Sequence, residues 1–207
     1  MSVDVVRLDA AAVRASADMV SRIGAADLGR PTPCAGWTLA DLLVHMTSQH
    51  NGFAAAAAGD GADPRHWATP DRPPGDLAAD YLRADYLRAA DRVGAAFAGP
   101  GVLGRAFCVL PISDSMTFLA AQAIAFHLVD YVVHGWDVAR SLGLPYELPP
   151  DVLDAALRIA LAVPDGTNRL TPGAAFAPRI PGYQDDGAAD PLERIVALLG
   201  RRPDWSG

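Results

Sequence analysis

The sequence predicts an all-α fold, a four-helix bundle with additional short C-terminal helices. Three observations carry this expectation. Four stretches of helical length repeat apolar residues on one face, with at most one short strand pattern between them. Segments rich in glycine and proline, at 29–37, 59–75 and 163–190, separate the helical stretches. About half of the 207 residues are apolar (51%), and alanine is abundant, so one medium domain can bury a sizeable core with closely packed helices.

The elements follow in order. Residues 3–24 place Val6, Val13, Val20 and Ile23 on one side, with Arg7, Arg14 and Arg22 interspersed. The linker 29–37 ends this helix and aims the next. Thr38 then reads as an N-cap, with Asp41 completing a short capping box, and the second helix runs from Leu39 to about Ala57. The segment 59–75 reads as an exposed loop. A third helix covers about 76–98, within which Asp80-Tyr-Leu-Arg-Ala and Asp85-Tyr-Leu-Arg-Ala recur at an interval of five residues. That interval fits neither a heptad nor a solenoid, so it is read as a local coincidence. Residues 105–110 read as one short strand. The fourth helix spans about 115–142 and stops at Gly143 with Pro145 beyond. A fifth starts near Pro150 and ends near Ala162, and a last short helix covers 191–199. The expected division is a bundle over 1–165, with 166–207 as a C-terminal extension packed on it.

Charge and composition exclude several classes. The formal net charge is −7, with 24 acidic residues interleaved among 17 basic ones, all arginine. Such a surface offers no basic stripe, which argues against nucleic acid as a partner. The first residues lack the basic start and apolar core of a secretion signal, and no apolar run reaches the ~18 residues of a membrane span. Two cysteines, Cys34 and Cys108, are too few for a disulfide framework and form no Cys-x-x-Cys pair. The expectation is a cytoplasmic protein without membrane association, monomeric or homodimeric, acting on a small-molecule substrate.

The stretch 118–143 carries the chemistry. Three metal-capable side chains, His127, Asp130 and His134, interrupt its apolar face. At about 100° per residue, all three fall within about 60° of one another. Asp130 and His134 are one turn apart, so a single ion can meet a carboxylate oxygen and an imidazole nitrogen from one helix. The second helix offers His45, at the edge of the core stripe formed by Leu39, Leu42, Leu43 and Met46, with Asp41 and Gln49 a turn to either side. In a bundle, the second and fourth helices lie close enough to share a site. His127 is the spare: a fourth ligand, a proton shuttle or a rim residue. His50 is expected to point away into solvent, and His66, beside Trp67, to lie on the surface. Trp37 and Trp136 are expected to pack, with a pocket wall as the alternative for Trp136. Asp137 and Arg140 are expected to pair on the helix surface, with capping or a supporting place behind a ligand as the alternative. Cys34 precedes a helix N-terminus, a setting that lowers a thiol pKa, so it reads as either a reactive thiol or a small buried hydrophobe.

Residues 132–143, Val-Val-His-Gly-Trp-Asp-Val-Ala-Arg-Ser-Leu-Gly, resemble the signature helix of the mycothiol-dependent maleylpyruvate isomerase group of the DinB-like superfamily. Residues 32–46, Thr-Pro-Cys-Ala-Gly-Trp-Thr-Leu-Ala-Asp-Leu-Leu-Val-His-Met, resemble its other signature. The ending Leu-Leu-Gly-Arg-Arg-Pro-Asp-Trp is similar to that of an actinobacterial metal-binding subgroup. The resemblance implies a DinB-like bundle holding a divalent metal, zinc by default with nickel as the alternative. Carried onto this chain, the implied ligands are His45, Asp130 and His134. Asp130 stands where the group's pattern usually has glutamate, one methylene longer. The resemblance also implies mycothiol as a co-substrate, activated as a thiolate, in an S-transferase or isomerase acting on a small electrophile. Only about 45 residues follow the fifth helix, where full maleylpyruvate isomerases carry a larger C-terminal domain, so that particular isomerisation is not implied. The rival readings are a non-catalytic metal-binding stress protein, and a bundle repurposed for a biosynthetic cyclisation or hydrolysis, with or without metal.

Overall fold

A computed structural model describes residues 4–69, 78–171, 174–183 and 190–207. The expected beginning of the third helix and parts of the two long loops lie outside the described residues. Six α-helices are described: α1 (Val5–Ser21), α2 (Leu39–Ala58), α3 (Ala78–Phe97), α4 (Ala120–Leu142), α5 (Pro150–Ala162) and α6 (Pro191–Leu198). The architecture is the all-α bundle that the sequence predicts. Helix α1 packs most extensively on α4 and α2 on α3, while α2 and α4 also meet and α6 lies against α5.

Local chemistry sets the ends of the helices that matter here. The Thr38 hydroxyl accepts from the Asp41 N–H at 3.3 Å, and the Asp41 carboxylate accepts from the Thr38 N–H at 2.9 Å, so the capping box closes in both directions. Helix α4 ends at Gly143, whose φ of +69° is a left-handed position that favours glycine. Gly52, on α2, leaves room for the Trp67 indole: a Cβ there would lie 2.1 Å from the ring.

Helix α4 begins later than the sequence suggests. Residues 117–119 form strand β2 (Thr117–Leu119), antiparallel to β1 (Ala106–Cys108), with Phe107 opposite Phe118. The expected strand near 105–110 is therefore real, and its partner comes from what reads as the start of the helix. Thr and Phe suit an extended segment. Phe107 is fully buried, and Phe118 packs edge-on against Phe126 with ring centroids 5.3 Å apart.

The core divides into two apolar clusters. One, around Leu8, Leu42, Met46, Tyr131 and Ile195, joins α1, α2, α4, α5 and α6. The other, around Phe53, Val93, Phe97, Phe107 and Ile124, fills the end where α4 begins. A polar layer lies between them. Asp9 on α1 bonds His127 Nδ1 on α4 at 2.7 Å, and His127 Nε2 bonds His50 Nδ1 on α2 at 3.1 Å. The His50 ring stacks on Tyr131 at 3.9 Å. Asp9, His50 and His127 are all buried. His50 is thus a core residue and not the solvated one expected. The reason is visible in its spacing: it lies four residues from Met46 and seven from Leu43, on the buried stripe itself.

The repeated pentapeptide on α3 is used in two ways. Tyr86 and Leu82 are buried, while Tyr81 and Leu87 are exposed. Each copy keeps its own surface ion pair, Asp80 with Arg83 and Asp85 with Arg88. No described helix is long and apolar enough to cross a membrane.

Candidate metal centre

Helices α2 and α4 bring His45, Asp130 and His134 together. One donor atom from each lies within 4.8 Å of the others. His134 Nε2 is 3.4 Å from Asp130 Oδ1, and the His134 and His45 rings meet edge to face at 5.2 Å. Trp37, at the N-terminal edge of α2, tilts against His45 at 4.9 Å and is itself half exposed, so it covers the cluster from the solvent side. Trp136 is instead a core residue, with the Arg140 guanidinium 5.3 Å from its ring centre.

The second nitrogen of His134 is also committed. Nδ1 lies 3.0 Å from Asp137 Oδ2, and Asp137 is fully buried. The same oxygen accepts from the Cys34 thiol at 3.2 Å and from Arg201 Nη2 at 3.3 Å. The expected surface pair of Asp137 and Arg140 does not form. Asp137 faces inward, and Arg140 donates to the carbonyl of Pro203 at 3.1 Å. Cys34 is half-buried, held between Asp137 and Arg201.

Electrostatics separates the two histidines. Burial lowers the His45 pKa to about 4, with the nearby charge of His134 adding to the effect, so its ring is neutral at pH 7. Burial alone would also lower His134, but Asp130 and Asp137 outweigh it and raise the pKa to about 10. The carboxylates that favour a proton on this ring equally favour a divalent cation beside it. For Asp137 itself, the Arg201 charge and the His134 hydrogen bond overcome the effect of burial and hold the carboxyl below its ordinary pKa.

Two imidazoles and a carboxylate form a donor set suited to zinc, and three protein ligands leave a position open. A histidine ligand whose other nitrogen donates to a carboxylate is the usual supporting arrangement for such an ion. The residues present therefore fit the cation that the fold family implies. His127 does not join them. It shares the azimuth of His134 but lies seven residues earlier, about 10 Å along the helix axis. Both its nitrogens are engaged by Asp9 and His50. His66 pairs with Asp60 at 2.7 Å near the surface. It lines, with Arg65 and Arg92, a cavity of about 600 Å³ between α2 and α3, apart from the cluster of His45, Asp130 and His134.

Sequence reasoning missed Asp9 and Arg201, and offered a supporting place behind a ligand for Asp137 only as the alternative to a surface pair. Asp9 had a usable signal, since it sits four residues before Val13 on the apolar face of α1. Arg201 had none in spacing, because only tertiary folding carries it across 64 residues to Asp137.

The fold and the cluster define a class: a DinB-like helical bundle with two histidines and a carboxylate converging from facing helices. The chain belongs to the mycothiol maleylpyruvate isomerase N-terminal domain family, whose pattern matches residues 10–139. It is 30% identical to the uncharacterized protein Rv0738 of Mycobacterium tuberculosis strain H37Rv, over 90% of this chain and 92% of that one. The uncharacterized protein MT0763 of strain CDC 1551 gives the same figures. Among solved structures, the mycothiol-dependent maleylpyruvate isomerase superposes with a TM-score of 0.55 at 16% identity, covering 76% of this chain and 68% of that chain. A mutant of that enzyme gives a TM-score of 0.57 at 13% identity with the same coverage.

Proposed function

We propose that the protein is a divalent-metal-dependent thiol S-transferase or isomerase, with mycothiol as co-substrate and a small electrophile as substrate. The convergence of His45, Asp130 and His134 within 4.8 Å carries this reading. Family membership supports the choice of thiol. In the proposed assignment, His45, His134 Nε2 and Asp130 hold the ion. Its charge favours the thiolate form of a bound thiol at neutral pH.

The chain's own residues do the rest. Asp137 holds the Nδ1–H of His134 and leaves Nε2 facing the cluster. His45 stays neutral, with a lone pair to give. Asp130 retains partial exposure, 21% of its side chain, and marks the side from which small molecules approach. Trp37 shields His45 from water. Aspartate in place of glutamate shortens the reach of the carboxylate by one methylene, which the 3.4 Å approach of Asp130 to His134 Nε2 accommodates.

The test is metal content of the purified protein by plasma mass spectrometry, beside His134→Ala, followed by turnover of electrophiles with mycothiol. About one zinc or nickel per chain, lost in the variant, with mycothiol-dependent turnover, is the expected result. Metal without thiol-dependent turnover replaces the reading with a non-catalytic metal binder. No metal in the unaltered protein, even with zinc supplied, overturns the centre itself.

A further inference from the structure

We infer that Arg201 is a positioning residue for this centre: it anchors the buried carboxylate of Asp137 that aims His134 at the ion. The inference rests on the metal reading above, and it assigns a role to a residue beyond the family-matched region.

The local chain path delivers Arg201 to this place. Helix α6 ends at Leu198, and Gly200 turns the chain with a φ of +82°. A Cβ at Gly200 would come within 2.5 Å of the Ala177 carbonyl, so the turn is held tightly against that segment. The Arg201 N–H donates to the Val196 carbonyl at 2.8 Å, and its Nη1 donates to the Leu199 carbonyl at 3.0 Å. Arg140 pins the following residues through Pro203. The arginine side chain is only 7% exposed.

At its far end, Nη2 reaches both Asp137 Oδ2, at 3.3 Å, and Cys34 Sγ, at 3.2 Å. Asp137 Oδ2 thus accepts from His134, Cys34 and Arg201, while Oδ1 has no hydrogen-bond partner among the described residues. A buried carboxylate needs charge pairing, and a guanidinium is a permanent cation that only donates. Arg201 therefore holds the Oδ2 edge toward His134, which keeps Nδ1–H engaged and Nε2 free for the ion.

The same contact settles a competing possibility. Cys34, His134 and Asp137 also offer donor atoms within 4.8 Å of one another, enough to attract a second cation. The guanidinium already touches two of the three, so the protein's own positive charge fills that set. The two faces of His134 are thereby given different tasks, Nε2 for the ion and Nδ1 for the anchor.

The test compares Arg201→Met and Arg201→Lys with the unaltered full chain. Zinc affinity is read by chelator competition, the metal-free fold by circular dichroism and melting, and the His134 tautomer by imidazole ¹⁵N shifts. One nitrogen of Arg201 makes both key contacts, so lysine restores them in part. Arg201→Met is expected to weaken zinc by about 10-fold or more with the metal-free fold retained, as for other residues behind a ligand, and Arg201→Lys by only about a few-fold. Zinc affinity of Arg201→Met within twofold of the unaltered chain overturns the inference while leaving the centre intact. Equal losses in both variants, tracking a fall in melting temperature, overturn it in favour of simple packing. If Arg201→Met does not fold, the tautomer in the zinc-loaded unaltered chain decides: protonated Nδ1 supports the inference and protonated Nε2 overturns it. Failure of the unaltered chain to bind zinc overturns the metal reading and this inference together.

Discussion

Acidification provides a quantitative test of the polar layer between the two core clusters. His50 is fully buried, and burial, reinforced by the neighbouring His127, holds its pKa well below the ordinary 6.5. The unfolded chain therefore takes up a proton near pH 6.5 that the folded chain refuses. Stability is greatest above that value and falls as the pH drops below it, because the unfolded state binds more protons. Each full unit is worth about 1.4 kcal/mol per such group. Between pH 7 and pH 5, allowing for partial protonation at the start, His50 accounts for a loss of about 2 kcal/mol. His45, lowered to about 4 in the fold, loses stability in the same window, so metal is chelated throughout to let it titrate freely. His134, raised to about 10, is protonated in the fold throughout this range, while in the unfolded chain it takes up its proton near pH 6.5. It therefore adds a gain of about 1 kcal/mol on acidification that opposes the loss and is common to both proteins compared below. The assay is urea denaturation at pH 7, 6 and 5 for the unaltered protein and His50→Leu. The variant starts less stable at pH 7 by about 1–3 kcal/mol, since His127 loses its partner in the core. Its loss on acidification should be smaller by about 2 kcal/mol. Equal pH dependence in the two proteins would refute a neutral, buried His50.

Two further predictions concern the frame of the site. Thr38→Ala removes the acceptor for the Asp41 N–H at the start of α2, and should lower stability by about 1 kcal/mol in urea denaturation; an unchanged midpoint would show that the box contributes nothing. Gly61→Ala places a Cβ 2.2 Å from the backbone carbonyl of Cys108, where no flexible side chain can yield. That substitution should cost about 1–3 kcal/mol, read as a lower melting temperature, and unchanged melting would rule out the close approach.

Much of the bundle was legible because its signals are local. The capping box at Thr38, the left-handed stop at Gly143 and the apolar stripes of α1 and α2 each follow from a few neighbouring residues. The convergence of His45 with Asp130 and His134 was legible for a related reason, since helical periodicity and adjacency of α2 and α4 suffice. The β1–β2 pair was half missed, because three residues beside a strong helical pattern carry little weight until a partner strand satisfies their backbone. His50 was misread by comparing it with His45 alone; its distance from Leu43 and Met46 puts it in the core. Arg201 illustrates a different limit. Its partner lies far away in sequence, and no periodicity encodes a contact made by the turn at Gly200.

The twin pentapeptides of α3 have a consequence for how this helix can change. Five residues advance a helix by about 500°, so the second copy faces about 140° away from the first. Tyr86 fills the interior while the identical Tyr81 meets solvent. Losing one copy would leave the local text almost unaltered yet rotate one end of α3 against the other. Sliding α3 along α2 by one copy would exchange an interior tyrosine for an exterior one. The repetition therefore supplies no interchangeable module and no second resting position; the helix is locked in register by words that look the same and are read from opposite sides.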